Sequence, residues 1–266
     1  MSKKKIIIVG YKSFIQENLY KNLLPRFNVK KIKFKNLKKK KIKNTIVINC
    51  SQHDRFFNKR YNRKFDRNLI IANYISNSDN NLIILSTRQV YKPKIGITES
   101  SAIKPINTYA KNCIKSEKYC NKRLNRQLLI LRLSNVIGNE IGKKKRPSIM
   151  SLIIKGKQNK RLIFDNNIFL YKDFLPINLF CRYISKILTK KMSGIYNVGS
   201  GIPIKVKNFV ENIIDTKKVD INIIKKKKFI DADFSFNISK LQKAIKVKVN
   251  KKYLNNELIK LKKQIN

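Results

Sequence analysis

The fold is decided by residues 4–24, which read KKIIIVGYKSFIQENLYKNLL. Four β-branched residues precede Gly10, a pattern typical of a buried strand that ends in a tight turn. From residue 13 to residue 24 the apolar side chains recur at helical spacing. A strand, a glycine turn and a helix open a dinucleotide-binding unit, in which the turn and the helix N-terminus hold a pyrophosphate. We therefore predict such a unit here, although one glycine after a strand is weak support on its own.

Apolar strands and helical segments alternate through the following residues. Further buried strands are predicted at 29–34, 45–50, 81–85 and 128–133, and helices at 68–75 and 106–126. This alternation predicts an α/β fold with a Rossmann-type, doubly wound parallel sheet that binds ligands at the carboxyl ends of its strands. The lysine run at 36–43 is too short for another strand and helix, so we expect a sheet that is trimmed at this edge.

The pattern changes after Gly138, where shorter elements begin. Short strands are predicted at 161–164 and 167–170, and the lysine-rich tail is expected to pack weakly. We predict a dinucleotide-binding domain at 1–138, to which 168–200 contribute. A small C-terminal α+β substrate-binding lobe is predicted from 139–167 and 201–266.

Two stretches carry hydroxyl groups that are suited to proton transfer: LSTRQVY at 85–91 and TYAKNCIKSEKY at 108–119. The first ends a predicted strand and the second opens a predicted helix, which places Thr87 and Tyr109 at one mouth of the sheet. A phenol has an unperturbed pKa near ~10, so it needs a nearby cation to act as a base at neutral pH. The residue one turn later on the same helix face is Cys113, which supplies no such charge.

The charge balance is extreme, since 62 basic and 15 acidic residues give a formal net charge of +47. Clustered Lys and Arg release counterions from phosphate backbones, so this charge permits nucleic-acid binding. However, the chain is rich in Lys, Ile and Asn together, a bias that an AT-rich genome produces without selection. The sequence shows no basic face with interleaved aromatic residues, so we favour compositional drift, with a field that still attracts anionic substrates.

The four cysteines and the single histidine indicate neither a metal site nor a disulfide framework. The cysteines lack metal-ligand spacing and are interpreted as reduced residues of a cytosolic protein. His53 is interpreted as a structural residue, and no metal is predicted. No apolar run approaches the ~18 residues of a membrane helix. We predict a cytoplasmic protein with no membrane span.

Several motifs, in the same order along the chain, resemble one family. Residues 10–16, GYKSFIQ, are similar to Gly-x-x-Gly-Phe-Ile-Gly, and 86–91, STRQVY, to Ser-Ser-x-x-Val-Tyr. Residues 131–138, LRLSNVIG, are similar to Leu-Arg-x-x-Asn-Val-Tyr-Gly, and 196–201, YNVGSG, to Tyr-Asn-Val-Gly-Ser-Gly. The chain is thereby identified as a divergent member of the extended short-chain dehydrogenase/reductases, the NAD-dependent epimerase/dehydratase group that mostly acts on nucleotide sugars.

The resemblance implies roles for individual residues. Tyr109 would be the acid/base and Thr87 the hydroxyl that orients the substrate, while Ser86, Lys172 and the basic loop near Arg146 would face a nucleotide-activated sugar. Lys35 stands where an acidic residue holds the adenosine ribose; a cation there suits a 2′-phosphate, so NADP is favoured and NAD is the alternative. The residues assigned to the cofactor are Gly10, Ser13, Phe14, Ile15, Lys35, Cys50, Ser51, Cys113 and Asn135.

The departures from the family pattern lie at Ser13, Gln16, Lys35 and Cys113, all on the cofactor side. In the family a lysine four residues after the tyrosine lowers the phenol pKa and holds the nicotinamide ribose, and a neutral thiol does neither. Three hypotheses follow. In the first, the chain is an epimerase, dehydratase or oxidoreductase that acts on a nucleotide sugar. In the second, it is a catalytically impaired relative that binds a nucleotide sugar, a cofactor or a partner. In the third, it is an RNA-associated member. We favour the first, with weak catalysis expected and a homodimer compatible with the family.

Overall fold

A computed structural model describes residues 5–139, 148–164, 167–214, 220–223 and 232–265. Its strands, in chain order, are β1 Lys5–Val9, β2 Asn28–Ile32, β3 Thr45–Asn49, β4 Asn81–Thr87, β5 Leu128–Leu133, β6 Asn135–Ile137, β7 Arg161–Phe164, β8 Tyr171–Pro176, β9 Gly194–Val198, β10 Pro203–Lys205 and β11 Asp220–Ile223. Its α-helices are α1 Phe14–Leu23, α2 Arg55–Asn58, α3 Arg67–Ile75, α4 Thr108–Leu124, α5 Ile149–Gln158, α6 Ile177–Ile187, α7 Val206–Ile213, α8 Ser239–Ile245 and α9 Lys251–Ile265.

The main sheet contains six parallel strands in the order β2-β1-β3-β4-β5-β9. The predicted Rossmann-type sheet is therefore confirmed, and so is its trimmed edge. Beyond β2 the chain forms only a 3-10 helix at Phe34–Lys39 before it returns to β3. The strand predicted at 29–34 is shorter than expected, because Phe34 already belongs to that 3-10 helix.

The sheet is covered on both faces, as a doubly wound fold requires. Side chains alternate along β1, so Ile6 and Ile8 pack in one core with α1, α6 and α8. Ile7 and Val9 pack in the opposite core with residues of α3 and α4. The continuous β-branched run of β1 is therefore explained by burial on two faces.

The later elements form smaller sheets beside the main one. β8 lies between β6 and β10, and β7 pairs with β11. The strand predicted at 167–170 is wrong, because Asn167 accepts a hydrogen bond from the Phe169 backbone at 2.9 Å and turns the chain before β8. The tail packs more firmly than expected, since α9 buries leucines at helical spacing: Leu254, Leu258 and Leu261.

Asp173 of β8 joins the three-stranded sheet to the loop that follows β9. Its carboxylate is fully buried and accepts hydrogen bonds from the Ser200 backbone and hydroxyl, both at 2.8 Å, and from the backbones of Gly201 and Phe236, both at 3.2 Å. A Cβ at Gly199 would lie 2.3 Å from Oδ2 of Asp173. Glycine is therefore required at 199 by the close approach of this carboxylate.

Candidate active site

The carboxyl ends of the parallel strands meet at one edge of the sheet and bring the predicted site segments together. Gly10 follows β1, Cys50 and Ser51 follow β3, and Thr87 is the last residue of β4. In open α/β sheets this edge is where ligands bind. The order of strands, rather than any local motif, thus places these segments side by side.

Two hydrogen bonds shape the turn between β1 and α1. The backbone N–H of Gly10 donates to the Ile32 carbonyl at 2.9 Å. The Ser13 hydroxyl caps α1 by accepting a hydrogen bond from the backbone N–H of Gln16 at 3.3 Å. Phe14 and Ile15 are the first helical residues, and their side chains pack against the core beneath the sheet. The backbone start of α1 therefore faces the strand edge, where helix N-termini favour anions.

Gln16 replaces the third small residue of the family turn without projecting into solvent. It is 2% exposed, and its Nε2 donates to the Ile8 carbonyl at 3.3 Å. A Cβ at Gly10 would lie 3.1–3.3 Å from the atoms of the Gln16 side-chain amide. The glutamine therefore lies beneath the turn as a packing element, and it leaves little space for a side chain at position 10.

Cations surround an exposed aromatic ring at the end of β2. Tyr11 is 53% exposed, and the ammonium groups of Lys33 and Lys12 lie 4.4 and 5.9 Å from its ring centre. Lys35, predicted to take the ribose side of the cofactor, is exposed on the 3-10 helix that follows. Lys12 and Lys33 were not assigned a role from the sequence, because only the fold brings the turn after β1 next to β2.

The segment after β3 is held close to the same edge. The Cys50 amide donates to the Val9 carbonyl at 2.8 Å, and burial raises the pKa of its thiol, with a smaller contribution from Cys181. Ser51 donates from both its amide and its hydroxyl to the Asn49 side chain, at 3.1 and 3.0 Å. Both residues have the location expected of cofactor contacts, and that role stays a prediction.

The first turn of α4 lies against β4 through Cys113. Tyr109 is the second residue of the helix, and its ring packs beside Phe57, with centroids 5.0 Å apart. Burial raises the pKa of the Cys113 thiol, while hydrogen bonds with Tyr109 and Ser86 act in the opposite direction. Tyr109 and Ser86 therefore both lie close enough to Cys113 to affect its thiol, and Thr87 is the next residue along β4. The thiol is neutral at pH 7.

A buried polar chain continues inward from Ser86. The Ser86 hydroxyl donates to Oε1 of Glu117 at 2.5 Å, and Arg132 donates to both Glu117 oxygens, from Nε at 3.2 Å and from Nη2 at 2.5 Å. Arg132 also donates from Nη1 to the Tyr91 hydroxyl at 2.7 Å, which donates to Asn197 at 2.9 Å. The sequence contained a signal for this network, since Glu117 lies one helical turn beyond Cys113 on the same face of α4.

The remaining residues predicted to bind the cofactor or the substrate occupy several environments. The Asn135 side chain accepts from Nε of Arg88 at 3.0 Å and donates to the Asp173 carbonyl at 3.0 Å. Lys172 is buried, and its ammonium donates to the Ala232 carbonyl at 2.7 Å. Arg146 lies outside the described residues. Arg88 was missed by sequence reasoning, although it directly follows Thr87.

Two further expectations concern metals and membranes. Among the residues that the structure describes, no group of three or more histidine, cysteine or acidic side chains is placed to hold a metal ion. In the same part of the chain, no helix combines the length and the apolar character that crossing a bilayer requires.

The parallel sheet, the glycine turn at its edge and the helices on both faces define an α/β protein of the Rossmann type. Residues 31–199 match the sequence profile of the NAD dependent epimerase/dehydratase family. The chain belongs to that family, as its motifs predicted. A search of curated proteins by sequence finds no match.

Solved structures show the same fold over nearly the whole chain. A UDP-N-acetylglucosamine 4-epimerase from Methanobrevibacter ruminantium is 18% identical, with a TM-score of 0.82 over 99% of this chain and 98% of that one. A UDP-glucuronic acid 4-epimerase from Bacillus cereus, in complex with UDP-glucuronic acid and NAD, is 16% identical, with a TM-score of 0.78 and 98% of both chains covered. RMD from Pseudomonas aeruginosa, complexed with NADPH, is 17% identical, with a TM-score of 0.76 over 98% of this chain and 99% of that one. At these identities the likeness establishes the fold alone.

Proposed function

We propose that the chain binds NADP and a nucleotide-activated sugar at the carboxyl edge of the sheet, and that it carries out epimerase, dehydratase or reductase chemistry on the sugar. The observation that carries this proposal is the position of Cys113, whose thiol interacts with Tyr109 on one side and with Ser86, the residue before Thr87, on the other. It sets a phenol from the helix next to the hydroxyl-bearing end of β4. Membership of the family, and relatives that act on UDP-sugars, support the substrate class.

The preference for NADP rests on the cations at the end of β2. The start of α1 after Gly10 fits a pyrophosphate, because its amides and helix dipole favour an anion. Lys12 and Lys33 place two positive charges near the exposed Tyr11 ring, and the exposed Lys35 follows two residues after Lys33; a 2′-phosphate would add negative charge there. NAD has a hydroxyl in place of the 2′-phosphate, so it gains less from these cations.

In this proposal Tyr109 exchanges a proton with the substrate hydroxyl, and the Thr87 hydroxyl orients that group. The nicotinamide, when bound, would accept and return a hydride. The residue one turn after Tyr109 is a neutral thiol, so this position supplies no cation to lower the pKa of a phenol, which is ordinarily near ~10. The rate should therefore rise steadily from pH 7 to pH 9.5.

The second candidate is a protein that binds cofactor and nucleotide sugar without redox turnover. The buried neutral thiol of Cys113 favours it, because no charge stabilises phenolate on this face of α4. The two candidates agree on binding and differ on turnover. Binding and turnover are therefore measured separately.

Binding is tested by titrating NADP(H) and NAD(H) while melting temperature and NADPH fluorescence are recorded. We expect NADPH to raise the melting temperature more than NADH does. A Lys33→Glu/Lys35→Glu variant should lose this preference. Lys38→Glu/Lys39→Glu is the matched control, since it changes two exposed lysines of the same 3-10 helix by the same charge. Absence of any response to either cofactor contradicts the proposal.

Turnover is tested by incubating the protein with NADP and UDP-glucose, UDP-N-acetylglucosamine, UDP-glucuronic acid or dTDP-glucose, and by analysing products by NMR at pH 7 and pH 9.5. We expect a product that forms faster at the higher pH and is lost in Tyr109→Phe. Binding of cofactor and sugar with no product at either pH selects the second candidate. A product that Tyr109→Phe also makes refutes the role given to this phenol.

A further inference from the structure

The outer side of α4 and the segment next to it form one basic surface, which we call the α4 face. Asn112 fastens the two parts together, because its Nδ2 donates to the carbonyls of Phe56 at 2.8 Å and Lys59 at 2.9 Å. The α4 face consists of eight exposed cationic residues: Lys59, Arg60, Arg63, Lys64, Lys111, Lys115, Lys118 and Lys122.

The charges of α4 are sorted by face. Its four lysines in this set follow one another at spacings of four, three and four residues, which places them on one stripe of the helix. The acidic residue of the helix, Glu117, is buried and paired with Arg132. Along α4, which the structure describes completely, no exposed acidic side chain offsets the stripe. The α4 face therefore concentrates positive potential and attracts polyanions.

Aromatic rings lie in the middle of this charge. Tyr61 and Tyr119 stack with their centroids 5.7 Å apart and an interplanar angle of 23°. The guanidinium of Arg63 lies over the Tyr119 ring at 4.5 Å, and the Lys115 ammonium lies 5.7 Å from the Tyr61 ring centre. The Tyr61 hydroxyl donates to the buried Asp66 at 2.7 Å, which fixes the inner end of the stack.

We propose that the α4 face binds single-stranded nucleic acid, a function separate from nucleotide-sugar chemistry. The lysine stripe neutralises successive phosphates, and an unpaired base stacks on the exposed guanidinium of Arg63 and so extends the column of Tyr61 and Tyr119. Aromatic rings and arginine planes of this kind bind bases that are free of a duplex. The sequence did not reveal this surface, because Tyr61 and Arg63 come from one segment and Tyr119 from another.

The alternative to a specific site on the α4 face is that every region of this basic chain attracts nucleic acid equally. The C-terminal region provides the comparison, since it also exposes lysines without the same stack: Lys248, Lys251, Lys252 and Lys263. A general field predicts that removing four charges from either region weakens binding equally. The proposal predicts that only the α4 face matters.

The first experiment measures binding of fluorescein-labelled 12-nucleotide single-stranded RNA, single-stranded DNA and duplex DNA by anisotropy, from 50 to 300 mM salt. We expect both single strands to bind more tightly than the duplex. Changing Lys111, Lys115, Lys118 and Lys122 to Gln should reduce the salt slope by about 0.7 for every lysine that contacts a phosphate. The matched variant with Gln at 248, 251, 252 and 263 should keep the slope. Equal losses in the two variants, or a preference for duplex, overturn the proposal.

The second experiment isolates stacking from charge. Arg63→Lys keeps the positive charge and removes the planar guanidinium, so we expect single-strand affinity to fall about fivefold or more. Arg60→Lys makes the same exchange at a neighbouring exposed residue and should leave the affinity within twofold. If both variants behave alike, the base does not stack on Arg63. Exposed substitutions of this kind should keep the melting temperature, which is measured for each variant as a check on folding.

Discussion

Glu117→Gln should destabilise the protein more than any surface change, because Glu117 belongs to a buried ion pair. The side chains of Glu117 and Arg132 are 6% and 5% exposed, and the guanidinium donates to both carboxylate oxygens. Removing one partner of such a pair leaves the other charge buried and costs about 3–5 kcal/mol. Glutamine keeps the shape but offers one acceptor oxygen where Ser86 and Arg132 use two. We therefore expect a loss near the middle of this range.

The loss is measured by urea unfolding at pH 7, followed by circular dichroism, with the slope compared between variants. Glu211→Gln is the matched control, since its ion pair with Lys207 spans 3.8 Å and both side chains are at least 43% exposed; it should cost under about 0.5 kcal/mol. Replacing both Glu117 and Arg132 by Leu and Met should cost less than the sum of the single changes. A loss below about 1 kcal/mol for Glu117→Gln, or strict additivity in the cycle, would refute this account of the pair.

Three further substitutions test the site and its support. Cys113→Lys should place a cation one turn from Tyr109, lower the phenol pKa by about 1–3 units and shift the pH–rate profile to lower pH, whereas the uncharged Cys113→Met should leave the profile in place. Gly199→Ala should lower the unfolding free energy by about 1–3 kcal/mol, because its Cβ would lie 2.3 Å from Asp173; an unchanged urea midpoint would contradict this clash. Asp173→Asn should cost about 2–6 kcal/mol in the same assay, since its new NH2 group would face the amides of Gly201 and Phe236; a loss under about 1 kcal/mol would show that these bonds contribute little.

The main sheet was predictable because its signals are local. Strands β1 and β5 end where their apolar runs end, since burial on both faces demands a continuous run. The trimmed edge was predictable from chain length, because the residues between β2 and β3 are too few for another strand and helix. Helix α4 began two residues later than expected, since the Asn107 side chain caps it by accepting from the Ala110 amide at 2.8 Å.

The contacts that support the site were not predictable, because each joins residues far apart in the chain. Tyr91 donates to Asn197 across 106 positions, and Lys172 reaches the Ala232 carbonyl across 60. Motif spacing indicates that such residues belong to one site, but it does not say which of them touch. Gln16 illustrates the limit. By pattern it is a departure on the cofactor side, whereas in the structure it packs beneath Gly10.

The distribution of charge on α4 links the candidate site to the surface behind it. The lysines face outward, while the inner face carries Cys113 and Glu117, whose negative charge is taken up by Arg132. Glu117 also raises the pKa of the Cys113 thiol, although burial contributes more. The positive charge of this network, that of Arg132, is already paired with Glu117 and is not available to Tyr109. If the phenol works as an acid/base, it does so without a cation at position 113, and we expect the rate to rise toward alkaline pH.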